Sequence, residues 1–452
     1  MDDKRINLLK NEKVSKAINT MAAPAIIGMM VMAIYNVADS MFVSWIGGNG
    51  IAATQVVFPI MLIASSIGLA FGIGGGSYVS RLLGQNNKKE ANKVTSVSFF
   101  TGLIVGITIT IINLIFLEPI LELLGADDSI MGLAKDYGRF IIIGYAFTIL
   151  NMVLNNLLRS EGSAVYSMIG MAVGSILNII LDPIFIFVFD WGIAGAAIAT
   201  TLSQVVSFMI LFSTFLKKRS ILSIKFKNFK PSAKIYREIL VVGMPTFFRQ
   251  MLVSISFGIL NTAAKRYGGN DLLSASGIIL RVYMIPSYIT FGFGQGFQPV
   301  AGYNFGAGNK ERVIEAFKYS IIVTTLISIT FALFFTLFGD VVFKVFKSSP
   351  EITEYGVLGL KYYSIGLLIF GVSNTIAIFY QALGRGVESM ILSVSRQGLF
   401  LIPMLLILPK LMQADGVLIA QSMSDILTFI LSLCLIIPFL KKDKMELLMV
   451  GR

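Results

Sequence analysis

Long apolar stretches separated by short polar segments account for almost the whole chain. A helix that crosses a membrane needs about 20 mostly apolar residues, and twelve stretches meet that requirement. They are too long for the strands of a membrane β-barrel, which alternate over about 10 residues. The predicted spans cover residues 17–46, 51–80, 94–117, 138–158, 163–189, 191–216, 238–264, 272–303, 319–339, 360–384, 387–409 and 414–440.

The composition agrees with an all-α polytopic membrane protein of twelve transmembrane helices. Only 14% of the 452 residues are charged, whereas soluble domains carry about 25%. The net charge of +12 does not indicate nucleic-acid binding, because the basic residues lie at the ends of apolar stretches. The lack of histidine and the single cysteine, Cys434, exclude histidine-based metal sites and disulfides within the chain.

The basic residues predict the orientation of the spans, because cytoplasmic loops are enriched in lysine and arginine. With the N-terminus inside, cytoplasmic segments hold 26 of the 37 basic residues and outer segments hold eight. Trp45 and Trp191 then both lie at the outer interface, where tryptophan is enriched. We therefore expect a multi-pass protein of the cell membrane, surrounded by lipid, with both termini in the cytoplasm.

The two halves of the chain resemble each other at an offset of 220 to 222 residues. Pro24 corresponds to Pro245, and FGIGGG at 71–76 corresponds to FGFGQG at 291–296. Two six-span halves share one orientation, so the pseudo-two-fold axis lies along the membrane normal, with a cavity expected between the halves. The predicted organisation is an N-terminal cytoplasmic segment (1–16), an N-lobe of spans 1–6 (17–216), a basic cytoplasmic connector (217–237), a C-lobe of spans 7–12 (238–440) and a cytoplasmic tail (441–452).

Ionisable residues inside the spans are candidates for function, because a charge in the membrane interior is costly unless it is paired or hydrated. Fusion of two halves in one chain favours alternating access over a channel pore. Away from the first and last residues of each span, the acidic and basic residues are Asp39, Asp182, Arg249, Arg281, Arg396 and Asp425.

The two aspartates of the first half lie among polar neighbours at helical spacing. Asp39 follows Tyr35 by four residues and Asn36 by three, which places these side chains on one helical face. Asp182 follows Asn178 by four residues, and the adjacent Pro183 loosens the backbone there.

Span 6 adds Thr200, Thr201 and Gln204 as further oxygen donors. Two carboxylates with amide and hydroxyl oxygens suit a hard monovalent cation, and they equally suit two carboxylates that share a proton. The residue types therefore leave Na⁺ and H⁺ both open, and no cofactor is expected. The repeat counterpart of Asp39 is Leu260, so the coupling chemistry is expected in the N-lobe alone.

At these residues the chain resembles the multidrug and toxic-compound extrusion (MATE) transporters. The resemblance covers the whole chain and is most specific at LNIILDPIF, residues 177–185. Together with Asp39, this motif is similar to the prokaryotic branch whose cation site lies in the N-lobe. Further support comes from Pro24 followed by YNVADSMFV at 35–43, from YVSRLLGQNNKKEA at 78–91 and from RSEG at 159–162.

The resemblance implies a secondary active transporter, not an enzyme. It would export amphipathic or cationic small molecules by alternating access, driven by inward Na⁺ or H⁺, and we expect it to be a monomer. The implied coupling-ion site is Asp39, Asn178, Asp182 and Thr200; the substrate cavity is expected to include Tyr35, Asn36, Tyr137 and Gln204; and Pro24 is the implied hinge of span 1.

Two alternatives differ in function. A lipid-linked saccharide flippase of the same superfamily needs basic residues in a central cavity, which Arg249, Arg281 and Arg396 could supply. An intramembrane transferase needs a metal-binding acidic cluster at a membrane edge. Asp127 and Asp128 form an adjacent acidic pair, but they lie on a predicted outer loop without the spacing of such a cluster.

Overall fold

The computed structural model describes residues 2–346 and 348–441, and all regular secondary structure in this part of the chain is helical, without strands. The predicted tail beyond residue 441 lies outside the described residues. Two π-helical segments, Ile184–Val188 and Ser395–Leu401, interrupt the fifth span of each half. The α-helices are α1 Asp2–Lys10, α2 Val14–Ser44, α3 Gly48–Gly84, α4 Lys88–Ile115, α5 Leu117–Leu123, α6 Met131–Ile143, α7 Tyr145–Ser160, α8 Ala164–Pro183, α9 Gly192–Leu216, α10 Ala233–Gly306, α11 Lys310–Val345, α12 Pro350–Ala382, α13 Gly386–Val394, α14 Ile402–Met412 and α15 Ala414–Lys441.

The helix α10 contains two spans. A straight helix of its 74 residues would be about 110 Å long, several times the thickness of a membrane. Gly269 breaks it with φ 65° and ψ −155°, a conformation that glycine adopts without steric cost. Both arms then pack against α3, because Gly74 lies against Ile239 and Gly84 lies against Tyr303.

The structure confirms the twelve predicted spans in two six-helix bundles. Among the described residues, ten helical segments are long and apolar enough to cross a membrane, and α6 and α7 form one further span that is bent by 44°. Counting α10 twice gives six spans in each half. We call the bundle of α2–α9 the N-lobe and the bundle of α10–α15 the C-lobe.

The repeat is visible in how equivalent helices begin. The side chain of Asn87 accepts a hydrogen bond from the backbone N–H of Glu90 at 3.1 Å, which caps α4. Asn309 accepts one from the N–H of Arg312, also at 3.1 Å, and caps α11. Both asparagines satisfy a backbone donor that the first helical turn leaves free.

The hydrophobic core joins the two lobes at one end only. One cluster contains residues of both lobes, such as Val79 and Phe297. A second cluster lies within the N-lobe around Tyr137, and a third lies within the C-lobe around Phe335. The two lobes are therefore packed together at the end of the protein that contains the first cluster, and they are separate at the opposite end.

The closed end is the end of the N-terminal helix. Asn304, near the end of α10, donates to the backbone carbonyl of Leu9 in α1 at 3.0 Å. Glycines allow the backbones to touch there, since a Cβ at Gly243 would overlap the carbonyl oxygen of Ala70 in the opposite lobe.

Candidate functional site

Asn178 connects two helices of the N-lobe. Its amide nitrogen donates to Asp182 Oδ1 at 3.2 Å on the same helix, and it lies 3.1 Å from Thr200 Oγ1 on α9. Asn178 and Asp182 are fully buried, and Thr200 is nearly so. The spacing of four residues in α8 produces the first contact, and the packing of α8 against α9 produces the second.

The carboxyl groups of Asp39 and Asp182 meet at this point. They come from α2 and α8 and lie within hydrogen-bonding reach of each other. Two carboxylates in contact repel when both are ionised, so a proton or a cation between them stabilises the pair.

Two tyrosines border the pair of acids. The hydroxyl of Tyr35 is within hydrogen-bonding reach of Thr200. It is also close enough to Asp39 and Asp182 to interact electrostatically with both. Tyr137 is buried in the core of the N-lobe and also interacts electrostatically with Asp39 and Asp182. The structure therefore brings six of the residues selected from the sequence into one cluster.

The oxygen atoms of the cluster fit a small cation or a proton. Asp39 Oδ1, Asn178 Oδ1 and Asp182 Oδ2 are buried, and among the described residues they have no hydrogen-bond partner. Buried polar atoms are rarely left in this state. Oxygen donors from three helices would serve Na⁺ as ligands, and the two carboxylates would hold H⁺ between them.

The backbone after Asp182 is also irregular. Pro183 has no N–H to donate, and the five residues from Ile184 to Val188 form a π-helical turn. Such turns leave carbonyl groups free and occur often at functional sites. This irregular backbone adjoins the cluster directly.

Among the described residues, three further expected site residues form no recorded hydrogen bond with the cluster. Asn36 is exposed and donates to the backbone of Met32 at 2.9 Å. Gln204 accepts a hydrogen bond from Asn151 at 2.7 Å. Pro24 is half-buried, and α2 keeps helical geometry on both sides of it.

Asn151 and Tyr145 are polar residues of α7 that sequence reasoning did not select. Asn151 is buried and binds both the backbone and the side chain of Gln204. The Tyr145 hydroxyl is buried without a hydrogen-bond partner in the described part of the chain. Asn151 is not at helical spacing from an acidic residue of its own span, and its amide in an apolar span is the signal that could have indicated it.

The C-lobe holds a buried ion pair in place of two acids. Arg396 Nε donates to Asp425 Oδ1 at 2.6 Å, and Gln421 donates to the same oxygen at 3.2 Å. Within residues 2–346 and 348–441, Asp39 and Asp182 form no ion pair with an arginine. Asp425 thus faces a neighbouring helix, whereas the N-lobe acids face each other.

Comparisons with known proteins agree with this geometry. The MatE family model matches residues 24–184 and 245–407. The multidrug export protein MepA of Staphylococcus saprophyticus is 31% identical over 99% of this chain and 100% of its own length. MepA of Staphylococcus aureus strain MSSA476 is 30% identical over 94% of each chain.

Solved structures of transporters have the same fold. A structure described as the outward-facing conformation of a multidrug resistance MATE family transporter has a TM-score of 0.92, 29% identity and 98% coverage of both chains. A transporter of Pyrococcus furiosus, described as having a binding pocket of reverse polarity, has a TM-score of 0.90 and 30% identity, covering 97% of this chain and 99% of its own. The chain therefore belongs to the multidrug and toxic-compound extrusion (MATE) family of membrane transporters.

Proposed function

We propose that this protein is a secondary active multidrug efflux transporter of the cell membrane. It exports amphipathic or cationic small molecules and uses the inward movement of Na⁺ or H⁺ to drive them. The relatives named multidrug export protein support the class of substrate. Both termini lie in the cytoplasm, and the protein works as a monomer in lipid without binding nucleic acid.

The contact between Asp39 and Asp182 is the observation that carries the proposal. The two carboxyl groups, with Asn178 and Thr200, offer a buried set of oxygens to one small cation or proton. An ion that occupies this site neutralises part of the charge that would otherwise attract a cationic substrate. Ion entry and substrate release are thereby linked in the N-lobe.

The closed end of the molecule supports alternating access. With the termini in the cytoplasm, the lobes touch on the cytoplasmic side and separate on the outer side, so this conformation faces outward. The opposite conformation requires the contacts near Gly74 and Gly243 to open. Pro24 is the proposed hinge of α2, because a proline removes one backbone hydrogen bond from the helix that carries Asp39.

A flippase for lipid-linked saccharides is not favoured. Its pyrophosphate would need several arginines that converge on one cavity. Arg281 is exposed, and Asp425 offsets one of the two positive charges of Arg249 and Arg396, which leaves too little positive charge for a pyrophosphate. Relatives over the full length of the chain carry the name of multidrug exporters instead.

Export from everted membrane vesicles tests the proposal. The lumen of an everted vesicle corresponds to the outside of the cell. A fluorescent organic cation should therefore accumulate in the vesicles when Na⁺ or H⁺ is more concentrated in the lumen, and the gradient that drives accumulation identifies the ion. Asp182→Asn keeps the shape of the side chain without its charge and should abolish gradient-driven transport, whereas Asp271→Asn, at an exposed position, should not. If neither gradient drives transport by the wild type, the proposal is wrong.

A further inference from the structure

Two arginines of the C-lobe lie side by side on an aromatic surface. Arg249 Cζ lies 4.6 Å from the ring centroid of Phe291, and Arg396 Cζ lies 4.5 Å from that of Phe370. The two rings touch edge to face, with their centroids 5.9 Å apart. The two guanidinium groups are close enough for their charges to repel each other.

The charges of this cluster do not balance. Asp425 pairs with Arg396, while within the described residues Arg249 has no carboxylate at ion-pair distance. Asp425 does not bond Arg249, since its Oδ1 accepts from Arg396 and Gln421, and among the described residues its buried Oδ2 has no hydrogen-bond partner. Two positive charges therefore share one negative charge.

An unbalanced positive charge in a membrane bundle favours an anionic ligand. The faces of Phe291 and Phe370 attract a guanidinium but do not neutralise it. The planar guanidinium binds carboxylates and other anions through paired N–H groups. Access is available, since Arg249 is half-buried and the Arg396 side chain is 16% exposed.

We propose that Arg249 and Arg396 form a C-lobe binding site for a single negative charge. The ligand is either a free monovalent anion such as chloride or the carboxylate of a substrate that also carries a cationic group. In the second case the N-lobe acids take the cation and the C-lobe arginines take the carboxylate, which makes amphipathic zwitterions a substrate class. That case rests on the proposed export function, and the free-anion case does not.

A matched pair of dyes separates the two sources. Fluorescence polarisation with purified full-length protein compares a rhodamine ethyl ester, which is a cation, with its free acid, which is a zwitterion. If the site takes the carboxylate of a substrate, Arg249→Gln weakens binding of the acid at least about tenfold and leaves binding of the ester unchanged.

Thermal unfolding tests the free-anion source without any dye. Chloride and sulfate buffers of equal ionic strength are compared for the wild type and Arg249→Gln. If the site takes a free anion, chloride raises the Tm of the wild type relative to sulfate, and this difference disappears in the variant. The comparison between proteins removes the general effect of each salt on stability.

Two further variants keep the test decisive. Arg281→Gln removes an exposed arginine of the same helix and should match the wild type in both assays. Arg249→Lys keeps the positive charge without the planar guanidinium and should show an intermediate effect. This variant replaces Arg249→Gln if the latter does not fold.

The proposal is overturned if the ester-to-acid affinity ratio and the chloride response are the same in all these proteins. Failure of both dyes to bind the wild type would refute the export function, while the chloride response would still decide this site.

Discussion

The amide nitrogen of Asn178 donates a hydrogen bond to Asp182 Oδ1 at 3.2 Å, across one turn of α8. This contact fixes the orientation of the Asp182 carboxyl group toward Asp39. The amide oxygen of the same side chain, Asn178 Oδ1, is buried without a hydrogen-bond partner in the described part of the chain. Asn178 therefore both orients one ligand of the proposed ion site and supplies another.

Asn178→Ala should lower the affinity for the coupling ion by about tenfold, because one oxygen ligand and one orienting hydrogen bond are lost. The measurement is the concentration of Na⁺, or the pH, at which a bound fluorescent cation is half released. Asn36→Ala is the control, since Asn36 is exposed and, within the described part of the chain, its side chain bonds its own helix at Met32. An unchanged midpoint in Asn178→Ala would contradict its role as a ligand.

Gly243→Ala should prevent the lobes from closing at the end of the N-terminal helix. The added methyl group would overlap the backbone of Ala70, which has no flexible side chain to move away. Spin labels at Gln85 and Ala307, two exposed positions near this end, should show longer distances than in the wild type. Gly258→Ala, where a Cβ meets no atom within 4 Å, should leave the distances unchanged.

The length of the apolar stretches determined the spans, so the sequence was sufficient to predict the twelve helices. The pairs Tyr35–Asp39 and Asn178–Asp182 were also predictable, because helical spacing fixes which side chains share a face. Asn36 was grouped with them, but its position 100° around the helix from Tyr35 leaves it exposed.

Contacts between helices were harder to predict. Arg396 reaches Asp425 and Asn151 reaches Gln204 from separate helices. These pairs depend on the rotation and crossing of packed helices, which the period of apolar residues does not specify. For the same reason, the sequence did not indicate which end of the molecule is closed.

Glu161 should contribute strongly to the free energy of unfolding, through its contacts at the end of the protein that contains α1. Its buried carboxylate accepts from the backbone N–H groups of Ile221 and Leu222 at 2.8 and 3.0 Å and pairs with Arg5 at 3.3 Å. Glu161→Ala leaves these donors without an acceptor and should lower the free energy of unfolding by about 3 kcal/mol. Glu90→Ala breaks a half-exposed pair with Lys93 and should cost under about 1 kcal/mol. Equal losses in denaturant titrations would contradict this interpretation.

The stability of the Glu161 network should also depend on pH. Burial raises the pKa of Glu161 above its ordinary value of 4.5, against the opposing hydrogen bonds of Ser163 and Ser220 and the charge of Arg5. The native protein then holds this proton more tightly than the unfolded chain does. The free energy of unfolding should therefore fall as pH rises from about 4.5 through the raised pKa, and Glu161→Gln should lack that part of the fall.

Thiol labelling of intact cells should establish the orientation of the chain. In a Cys434→Ser background, which removes the exposed native thiol, a cysteine at Lys227 should be protected from an impermeant maleimide. A cysteine at Asp271 should react, because it follows the turn at Gly269 on the opposite side of the membrane. Both positions are exposed, so access to the reagent depends on the side of the membrane. The reverse labelling would show that the termini lie outside.

Asp39→Asn should remove the effect of Na⁺ and pH on substrate binding. In the wild type, the ion and a cationic substrate draw on the same two carboxyl groups, Asp39 and Asp182. Each must therefore lower the affinity of the other by the same factor, because linkage between two ligands is reciprocal. When an amide replaces one carboxyl group, binding of the ion no longer neutralises a pair of carboxylates that also attracts the substrate. Equilibrium binding of a fluorescent cation to purified protein, titrated with Na⁺ and with H⁺, measures this factor, and Asp271→Asn should retain it. Wild-type ion dependence in Asp39→Asn would show that the ion and the substrate do not share these carboxylates.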